Sequence, residues 1–337
     1  MILLDALYIN NGGGKILLDY LIIELTKSNV DVFYLLDDRI VEKYSGVNVE
    51  KVQYLKASFL KRKDFYIKNK HRFTRVICFG NLPPNIRLDA EVFTYFHQPM
   101  YLDIPKEFGL LDNLKFRLKI AILKRIAKNT DYWLVQSAFI KEKMQKKFRF
   151  RQESLIVLPF YPQFQALQKE ILREKNTYFY VSNATPHKNH IRLLEAFCGF
   201  YDKHKKGRLV VTVNIHYPEI LALIQNKVIQ GYPIENIGFV DRITLHKKYL
   251  SSEFLIFPSL TESFGLGLIE AVDCGCMVIG ADLPYTYEVC EPTLKFDPLD
   301  GNSICKAFED SLNKKKLNPS EARIHNNINQ IINLFKE

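Results

Sequence analysis

The sequence predicts an α/β protein of two doubly wound domains that follow one another along the chain. Three observations lead to this prediction: a length of 337 residues, a repeated alternation of short apolar runs with longer amphipathic ones, and a polar, proline-flanked stretch between the two halves. The length is about twice that of a single domain, and such alternation is typical of parallel sheets covered by helices. We predict a first domain over residues 1–162, a linker over 163–176, a second domain over 177–316 and a helical tail over 317–337 that packs back on the first domain.

The first half begins with a predicted strand over residues 2–8, which a glycine-rich turn separates from a helix over 15–28. Short apolar runs predict the further strands 30–36, 76–79, 92–96, 132–135 and 155–158. Two basic helices are predicted, over 111–128 from apolar residues at helical spacing, and over 138–148 with Ser137 as N-cap. Strand and helix therefore alternate throughout this half.

The second half repeats the alternation. Strands are predicted at residues 178–181, 209–213, 237–240, 254–257, 277–279 and 294–296. Helices are predicted at residues 191–201, 219–229, 244–250, 265–273 and 302–312. Because ligands of open α/β sheets bind at the carboxyl ends of the strands, we expect the ligand site in a cleft between the two domains.

The net charge of +10 is divided unevenly. Residues 1–160 contain 27 Lys and Arg against 17 Asp and Glu, whereas residues 161–337 contain 20 of each. The excess clusters at 61–75, 115–128 and 141–151. Such a half attracts nucleic acid, an anionic membrane surface or a phosphate-bearing substrate, and a merely solvated basic face is the alternative.

Composition narrows the class of protein further. With 47% hydrophobic and 25% charged residues, the chain reads as globular, and no run of about 18 uncharged apolar residues predicts a membrane-spanning helix. The opening apolar stretch lacks a basic leader, so we interpret it as a buried strand and expect a cytoplasmic protein. The six cysteines do not have zinc-site spacing, and we expect structural thiols and no bound metal.

The strongest local pattern lies in residues 258–271, which follow a buried strand and open a helix. Gly265 and Gly267 allow close approach of the backbone, and free amides at a helix start favour a phosphate. Glu262 precedes the helix, and Glu270 leans back towards its first turn. Two carboxylates beside an anion would repel it unless they bind hydroxyl groups of the same ligand. A nucleotide sugar supplies such hydroxyl groups in its ribose and in its sugar ring. A core helix with incidental glutamates is the alternative.

These residues resemble a known family. The seven residues between Glu262 and Glu270, with the Ser-Phe-Gly and Glu-Ala segments, look like the signature of glycosyltransferase family 4. The resemblance is strong over 178–312 and loose over 1–160. It implies the GT-B architecture of two facing Rossmann-like domains with an interdomain cleft, retention at the anomeric carbon, and catalysis without metal or cofactor. The donor it implies is a nucleotide sugar, with UDP- and GDP-sugars expected first.

The resemblance also implies roles for single residues. Glu262 would contact the hydroxyls of the donor sugar as a catalytic residue, and Glu270 would accept hydrogen bonds from the ribose. Lys188 would lie on the diphosphate and neutralise charge on the leaving group. The other residues implied in donor binding are Asn183, Ser263, Phe264, Gly265 and Leu266.

One loop departs from the family pattern. Many members carry an arginine several residues before the lysine, where this chain has Ser182-Asn183-Ala184. The diphosphate clamp is then weaker or completed by another residue, and we consider Arg242 as the substitute.

In the first half, the glycine turn and a histidine are candidates. Gly13 and Gly14 follow the first strand, too compactly for a dinucleotide fingerprint, and resemble the family's first loop. We expect them to contact phosphate or acceptor, with a plain tight turn as the alternative. His97 closes a strand, and the resemblance implies that it faces the donor sugar as a catalytic residue. A structural histidine is the alternative there.

The expected function is transfer of a hexose-type sugar to a glycan or lipid-linked glycan acceptor in bacterial surface polysaccharide assembly (lipopolysaccharide, O-antigen or capsule). The basic helix at 111–128 would rest on anionic headgroups at the cytoplasmic face of the inner membrane. Alternatives are a sugar-nucleotide epimerase or phosphorylase of the same architecture, a catalytically silent sugar-nucleotide binder, and a nucleic-acid-binding protein. Because aromatic residues do not interleave with the basic clusters in a recognisable motif, no nucleic-acid partner is expected.

Overall fold

The computed structural model divides the chain into two compact units. The described residues are 1–40, 44, 46–105, 108–165 and 171–336. Unit 1 comprises residues 1–104, 108–162 and 325–337, and unit 2 consists mainly of residues 163–324. Each unit is built on its own parallel sheet.

Unit 1 contains a seven-stranded parallel sheet in the order β3-β2-β1-β4-β5-β6-β7. Its strands are β1 Ile2–Ala6, β2 Val32–Asp37, β3 Val52–Leu55, β4 Arg75–Cys78, β5 Glu91–Phe96, β6 Tyr132–Val135 and β7 Leu155–Val157. The helices between them are α1 Gly12–Lys27, α2 Phe59–Asn69, α3 Leu110–Ile126 and α4 Ala138–Phe148. Strand order reverses at β1, which lies between β2 and β4, as at the switch point of a doubly wound fold.

Unit 2 contains a six-stranded parallel sheet in the order β10-β9-β8-β11-β12-β14, and β13 pairs antiparallel with β15. The strands are β8 Glu174–Tyr180, β9 Arg208–Val211, β10 Ile234–Asn236, β11 Ser252–Phe257, β12 Met277–Ala281, β13 Cys290–Glu291, β14 Leu294–Phe296 and β15 Glu321–Ala322. The helices are α5 His190–His204, α6 Pro218–Ile229, α7 Arg242–Ser251, α8 Leu266–Asp273, α9 Pro284–Val289 and α10 Gly301–Ser311. The switch point lies at β8, between β9 and β11. The predicted α/β class with two doubly wound domains is confirmed.

The tail differs from the single helix predicted over 317–337. Residues 321–322 form β15 of unit 2, and the helix that follows, α11 Ile328–Asn333, belongs to unit 1. The Asn327 amide donates to the Pro159 carbonyl at 2.8 Å, and the Arg75 guanidinium donates to the Leu334 carbonyl at 2.7 Å. The predicted linker is also too long, because β8 begins at Glu174, and residues 166–170 lie outside the described part.

The strand predicted at residues 237–240 is wrong. The strand is β10, and it ends at Asn236, whose side chain accepts from the Val213 amide at 2.8 Å and donates to the Val213 carbonyl at 2.9 Å. Gly238 then has a φ of +63°, so the backbone turns away from the sheet. Apolar residues alone did not distinguish this loop, in which only Phe239 is exposed, from a strand.

One member of the predicted basic surface lies in the core. Arg62 on α2 is only 1% exposed and forms an ion pair with Asp5 of β1, with 2.7 Å between Nε and Oδ2. Its guanidinium also donates to the Pro83 and Leu82 carbonyls at 2.8 and 2.9 Å, and the Tyr66 hydroxyl donates to Asp5. A buried charge is tolerated when it is paired and hydrogen-bonded in this way.

Five of the six cysteines are buried and Cys305 is half-buried, all of them free. Among the described residues, no helix combines the length and the apolar character needed to span a bilayer.

Candidate functional site

In unit 2 the start of α8 is shaped by two glycines. Gly265 has φ +78° and ψ 52°, and a Cβ there would lie 2.9 Å from Cδ1 of Leu268, so glycine is required. A Cβ on Gly267 would lie 3.2 Å from the Phe257 ring, because α8 packs directly on β11. The first amides of a helix have no intrahelical acceptor and carry partial positive charge. An anion-receptive helix start therefore lies at the carboxyl end of β11.

The loop after β8 is tied to the same place. The Leu260 amide donates to the His187 carbonyl at 2.8 Å, and the Tyr180 hydroxyl donates to the Lys188 carbonyl at 2.8 Å. Asn189, with φ +63°, donates from Nδ2 to the Pro298 carbonyl at 2.7 Å. These bonds fix Lys188 beside the loop that follows β11.

Lys188 and Glu262 form an ion pair through Nζ and Oε1. Their side chains are 19% and 14% exposed, so the pair is mostly withdrawn from water yet reachable. The structure thus brings together two residues that were predicted separately. Next to Gly265 along the chain, Ser263 and Leu266 are half-buried and Phe264 is buried, whereas Asn183 is exposed after β8.

Glu270 lies one turn into α8 and is buried. Its Oε1 contacts the guanidinium of Arg242, and its Oε2 accepts from the Tyr249 hydroxyl at 3.0 Å. Burial raises the pKa of Glu270, and the adjacent Arg242 opposes that rise. Arg242 is therefore held at Glu270, and its role as a substitute in the diphosphate clamp stays a prediction.

In unit 1 the predicted residues also meet. A Cβ on Gly14 would lie 3.4 Å from Cε1 of His97, whereas a Cβ on Gly13 would face open space. The His97 amide donates to Oδ1 of Asn81 at 2.6 Å. Burial lowers the pKa of His97 to about 4, so its imidazole is neutral at physiological pH. Gly13 and Gly14 thus lie in the first turn of α1, and not in a turn before the helix as predicted, and they form one small cluster with His97.

Sequence reasoning missed two aromatic residues, Tyr249 beside the Glu270 carboxylate and Phe164 beside the Arg242 guanidinium. Tyr249 lies in a basic segment of α7, where an aromatic residue is indistinguishable from an ordinary core contact. Phe164, whose ring lies 4.2 Å from the Arg242 guanidinium carbon, was assigned to the linker. No local sequence pattern indicates that either residue belongs to the candidate site. Within the part of the chain that the structure describes, no three His, Cys, Asp or Glu side chains are grouped to hold a metal ion.

His190 makes stability depend on pH. Both ring nitrogens are buried without a hydrogen-bond partner among the described residues, and the ring packs on Tyr180 at 4.9 Å. Burial lowers the pKa of His190 to about 3, below its ordinary value of 6.5. Below pH 6.5 His190 therefore takes up a proton in the unfolded chain but stays neutral in the folded protein. The free energy of unfolding consequently falls as the pH drops below 6.5. From this residue alone we expect a loss of about 2 kcal/mol at pH 5.

The check is urea unfolding of wild type and His190→Leu at pH 7 and pH 5. The variant should lose less free energy of unfolding between the two pH values than wild type, although His97 and His187 still contribute. The exposed His216→Leu should behave as wild type. Equal pH dependence in wild type and His190→Leu would contradict the assignment.

Two doubly wound units, the second with an anion-receptive helix start flanked by paired carboxylates, define the GT-B class of fold. Residues 163–329 match the family described as glycosyl transferases group 1. This segment, which includes nearly all of unit 2, is what this chain has in common with the group 1 glycosyltransferases.

A curated relative and several solved structures are similar to this chain. O-antigen chain mannosyltransferase B of Escherichia coli is 27% identical over 159 residues, which cover 43% of this chain and only 39% of that protein. Sucrose-phosphate synthase from Thermosynechococcus elongatus superposes with a TM-score of 0.73 and 16% identity, covering 93% of this chain and 89% of that one.

Two further structures share the fold. WaaG, a glycosyltransferase involved in lipopolysaccharide biosynthesis, has a TM-score of 0.69 at 16% identity, covering 94% of this chain and 91% of that one. Anabaena HepE in complex with UDP and glucose has a TM-score of 0.66 at 14% identity, covering 98% and 94%. At these identities the likeness shows the fold alone, and the GT-B prediction is confirmed.

Proposed function

We propose that this protein transfers a hexose-type sugar from a nucleotide-sugar donor to a glycan or lipid-linked glycan acceptor. The observation that carries the proposal is the arrangement at the start of α8, where a helix N-terminus is flanked by two carboxylates, each paired with a cation. Amides and Lys188 suit a diphosphate, and the carboxylates of Glu262 and Glu270 suit the hydroxyl groups on either side of it.

The proposed reaction needs little covalent chemistry from the protein. The diphosphate lies over Gly265 and its neighbours, Glu262 holds the donor sugar, and Glu270 receives the ribose. Negative charge that develops on the leaving diphosphate is met by Lys188 and the helix amides. We propose retention at the anomeric carbon, with the leaving group taking the acceptor proton on the same face, and no metal or cofactor. Gly13, Gly14 and His97 are proposed to contact acceptor and donor sugar from unit 1.

The relatives support a choice of donor and pathway. HepE was solved with UDP and glucose, and the curated relative is a mannosyltransferase of the O-antigen chain. We therefore propose UDP- or GDP-hexose as donor and bacterial surface polysaccharide assembly as the process, at the cytoplasmic face of the membrane.

The test is release of nucleoside diphosphate from UDP-, GDP-, ADP- and dTDP-sugars, with and without lipid-linked or oligosaccharide acceptor. Acceptor-dependent release, with a product whose anomeric configuration is that of the donor by NMR, is the expected result. Interconversion of the sugar nucleotide without release would identify an epimerase. Thermal stabilisation by a sugar nucleotide without turnover would identify a binder, and both outcomes would overturn the proposal.

Helix α3 supports a membrane surface as partner. Its buried face is Ile120, Leu123 and Ile126, and the opposite side exposes four leucines between 63% and 91%. These are Leu110, Leu111, Leu114 and Leu118. Basic side chains flank the leucines on the same helix: Lys115, Arg117, Lys119, Lys124 and Arg125. Exposed leucines between cations are typical of a helix that lies in the headgroup region of an anionic bilayer.

We expect the protein to sediment with liposomes that contain anionic phospholipid, less so at 0.5 M salt, and hardly with zwitterionic liposomes. The double variant Leu114→Ser with Leu118→Ser should reduce the bound fraction several-fold, because it removes the apolar contact and keeps the charge. Ile229→Ser, at an exposed position of α6 in unit 2, is the matched control. Equal sedimentation with anionic and zwitterionic liposomes would remove the membrane from the proposal.

A further inference from the structure

Glu270 is the more deeply buried of the two carboxylates, with 4% of its side chain exposed against 14% for Glu262. The ionisable groups that act on it are Arg242 and Tyr249 from α7 and Asp273 on its own helix. A carboxyl buried to this degree without a cation takes up a proton, because desolvation penalises its charged form. Arg242 is thus the group that opposes protonation.

A stack of rings fixes Arg242 in place. Its guanidinium lies over Phe164, and Phe164 stacks on His246 with 4.4 Å between ring centroids and 5° between planes. Arg242 and His246 are one turn apart on α7, so both side chains contact the Phe164 ring from the same face of the helix. Guanidinium groups stack on aromatic faces while keeping their in-plane donors available. One of those donors, on Nη1, is directed at Glu270.

The two bonds leave part of the carboxylate unused. An ionised carboxylate offers about four acceptor positions. Arg242 takes one on Oε1 and Tyr249 takes one on Oε2. Each oxygen therefore keeps capacity for one more donor. Two neighbouring hydroxyl groups, as on a ribose, match this pair of oxygens, whereas a 2′-deoxyribose offers only one.

We propose that Arg242, held by Phe164 and His246, is a positioning residue that fixes the Glu270 carboxylate as the acceptor for both ribose hydroxyls, and so makes the site select ribonucleotides over 2′-deoxyribonucleotides. This inference rests on the proposed function, since it assumes a nucleotide on Glu270. Arg242 acts through Glu270 and does not itself touch the donor.

The test compares UDP with dUDP and GDP with dGDP, by calorimetric titration of the full chain between pH 6 and pH 9. Wild type should bind the ribonucleotide about tenfold more tightly than the deoxy form, with little change over this range. Arg242→Gln should weaken ribonucleotide binding and bring the ratio towards one. The loss should deepen at low pH, because the pKa of Glu270 rises once the cation is removed and its protonated fraction then grows.

Two further variants keep the test independent of folding. Arg242→Lys retains the charge but not the planar fork, and Phe164→Leu retains the arginine but removes its support, so both should give intermediate ratios. Arg208→Gln, which removes an exposed arginine of unit 2 paired with Glu174, should match wild type. Circular dichroism and thermal melting establish that each variant is folded.

The outcomes distinguish failure of this inference from failure of the proposed function. If wild type binds none of the four nucleotides, the proposed function fails and this inference fails with it. If wild type binds ribonucleotides but Arg242→Gln and Phe164→Leu keep its ratio and pH profile, the inference alone is overturned. A uniform loss of affinity for ribo and deoxy forms at every pH would also overturn it, because that result indicates a general structural role.

Discussion

Replacing Lys188 by methionine is expected to lower the turnover number of sugar transfer by about 10²–10³-fold, the magnitude that follows removal of one preorganised group facing charge in a transition state. Methionine keeps much of the side-chain length and removes only the cation. The effect should be this large because Lys188 is already fixed by the Tyr180 hydroxyl bond to its carbonyl and by its pairing with Glu262. The side chain of Lys188 therefore needs little rearrangement when the diphosphate departs.

The measurement is turnover at saturating donor and acceptor. Lys203→Met, which removes an exposed lysine of α5 paired with Glu309, is the matched control and should leave turnover unchanged. Glu262→Ala should also act mainly on turnover, whereas Glu270→Ala should raise the donor KM. Turnover of Lys188→Met within threefold of wild type would show that the lysine only pairs with Glu262.

The fold class was predictable because it depends on a repeated pattern. Strands such as 76–79 are continuous apolar runs, and parallel strands buried on both faces require that. Strand β3 was missed because it lies at the sheet edge, where Gln53 and Tyr54 are exposed and the apolar run is broken. Strand order was not predictable, since nothing in one strand specifies which neighbour it will pair with.

The site was predictable only where one segment contains it. Glu262, Gly265 and Glu270 lie on one loop and one helix, so spacing alone indicated a common ligand. The contact of Arg242 with Glu270 depends instead on how α7 packs beside α8, and that of Arg62 with Asp5 on how α2 covers β1. The sequence around a cation does not indicate which distant carboxylate it will pair with. Arg62 was therefore interpreted as part of a solvated basic cluster, although it is buried.

The buried pair of unit 1 offers the second large effect. Asp5→Asn is expected to lower the free energy of unfolding by about 3–5 kcal/mol, because it leaves the Arg62 charge buried with only neutral partners, the Leu82 and Pro83 carbonyls and the Cys78 sulfur. The chain has a single tryptophan, Trp133, which is buried in β6 of the same unit. Its fluorescence during urea unfolding therefore reports this unit directly. Asp31→Asn, which breaks the exposed pair with Lys51, should change the value by less than about 1 kcal/mol.

Replacing one member of this ion pair and replacing both members are expected to have different effects on stability. Breaking a buried ion pair from one side leaves an uncompensated charge, whereas replacing both members by apolar side chains removes the desolvation cost as well. Asp5→Leu combined with Arg62→Met should therefore recover much of the stability that Asp5→Asn loses. If the double variant is instead less stable than Asp5→Asn, the hydrogen bonds from Arg62 to the Leu82 and Pro83 carbonyls, and not the charge pairing, hold this part of the core together.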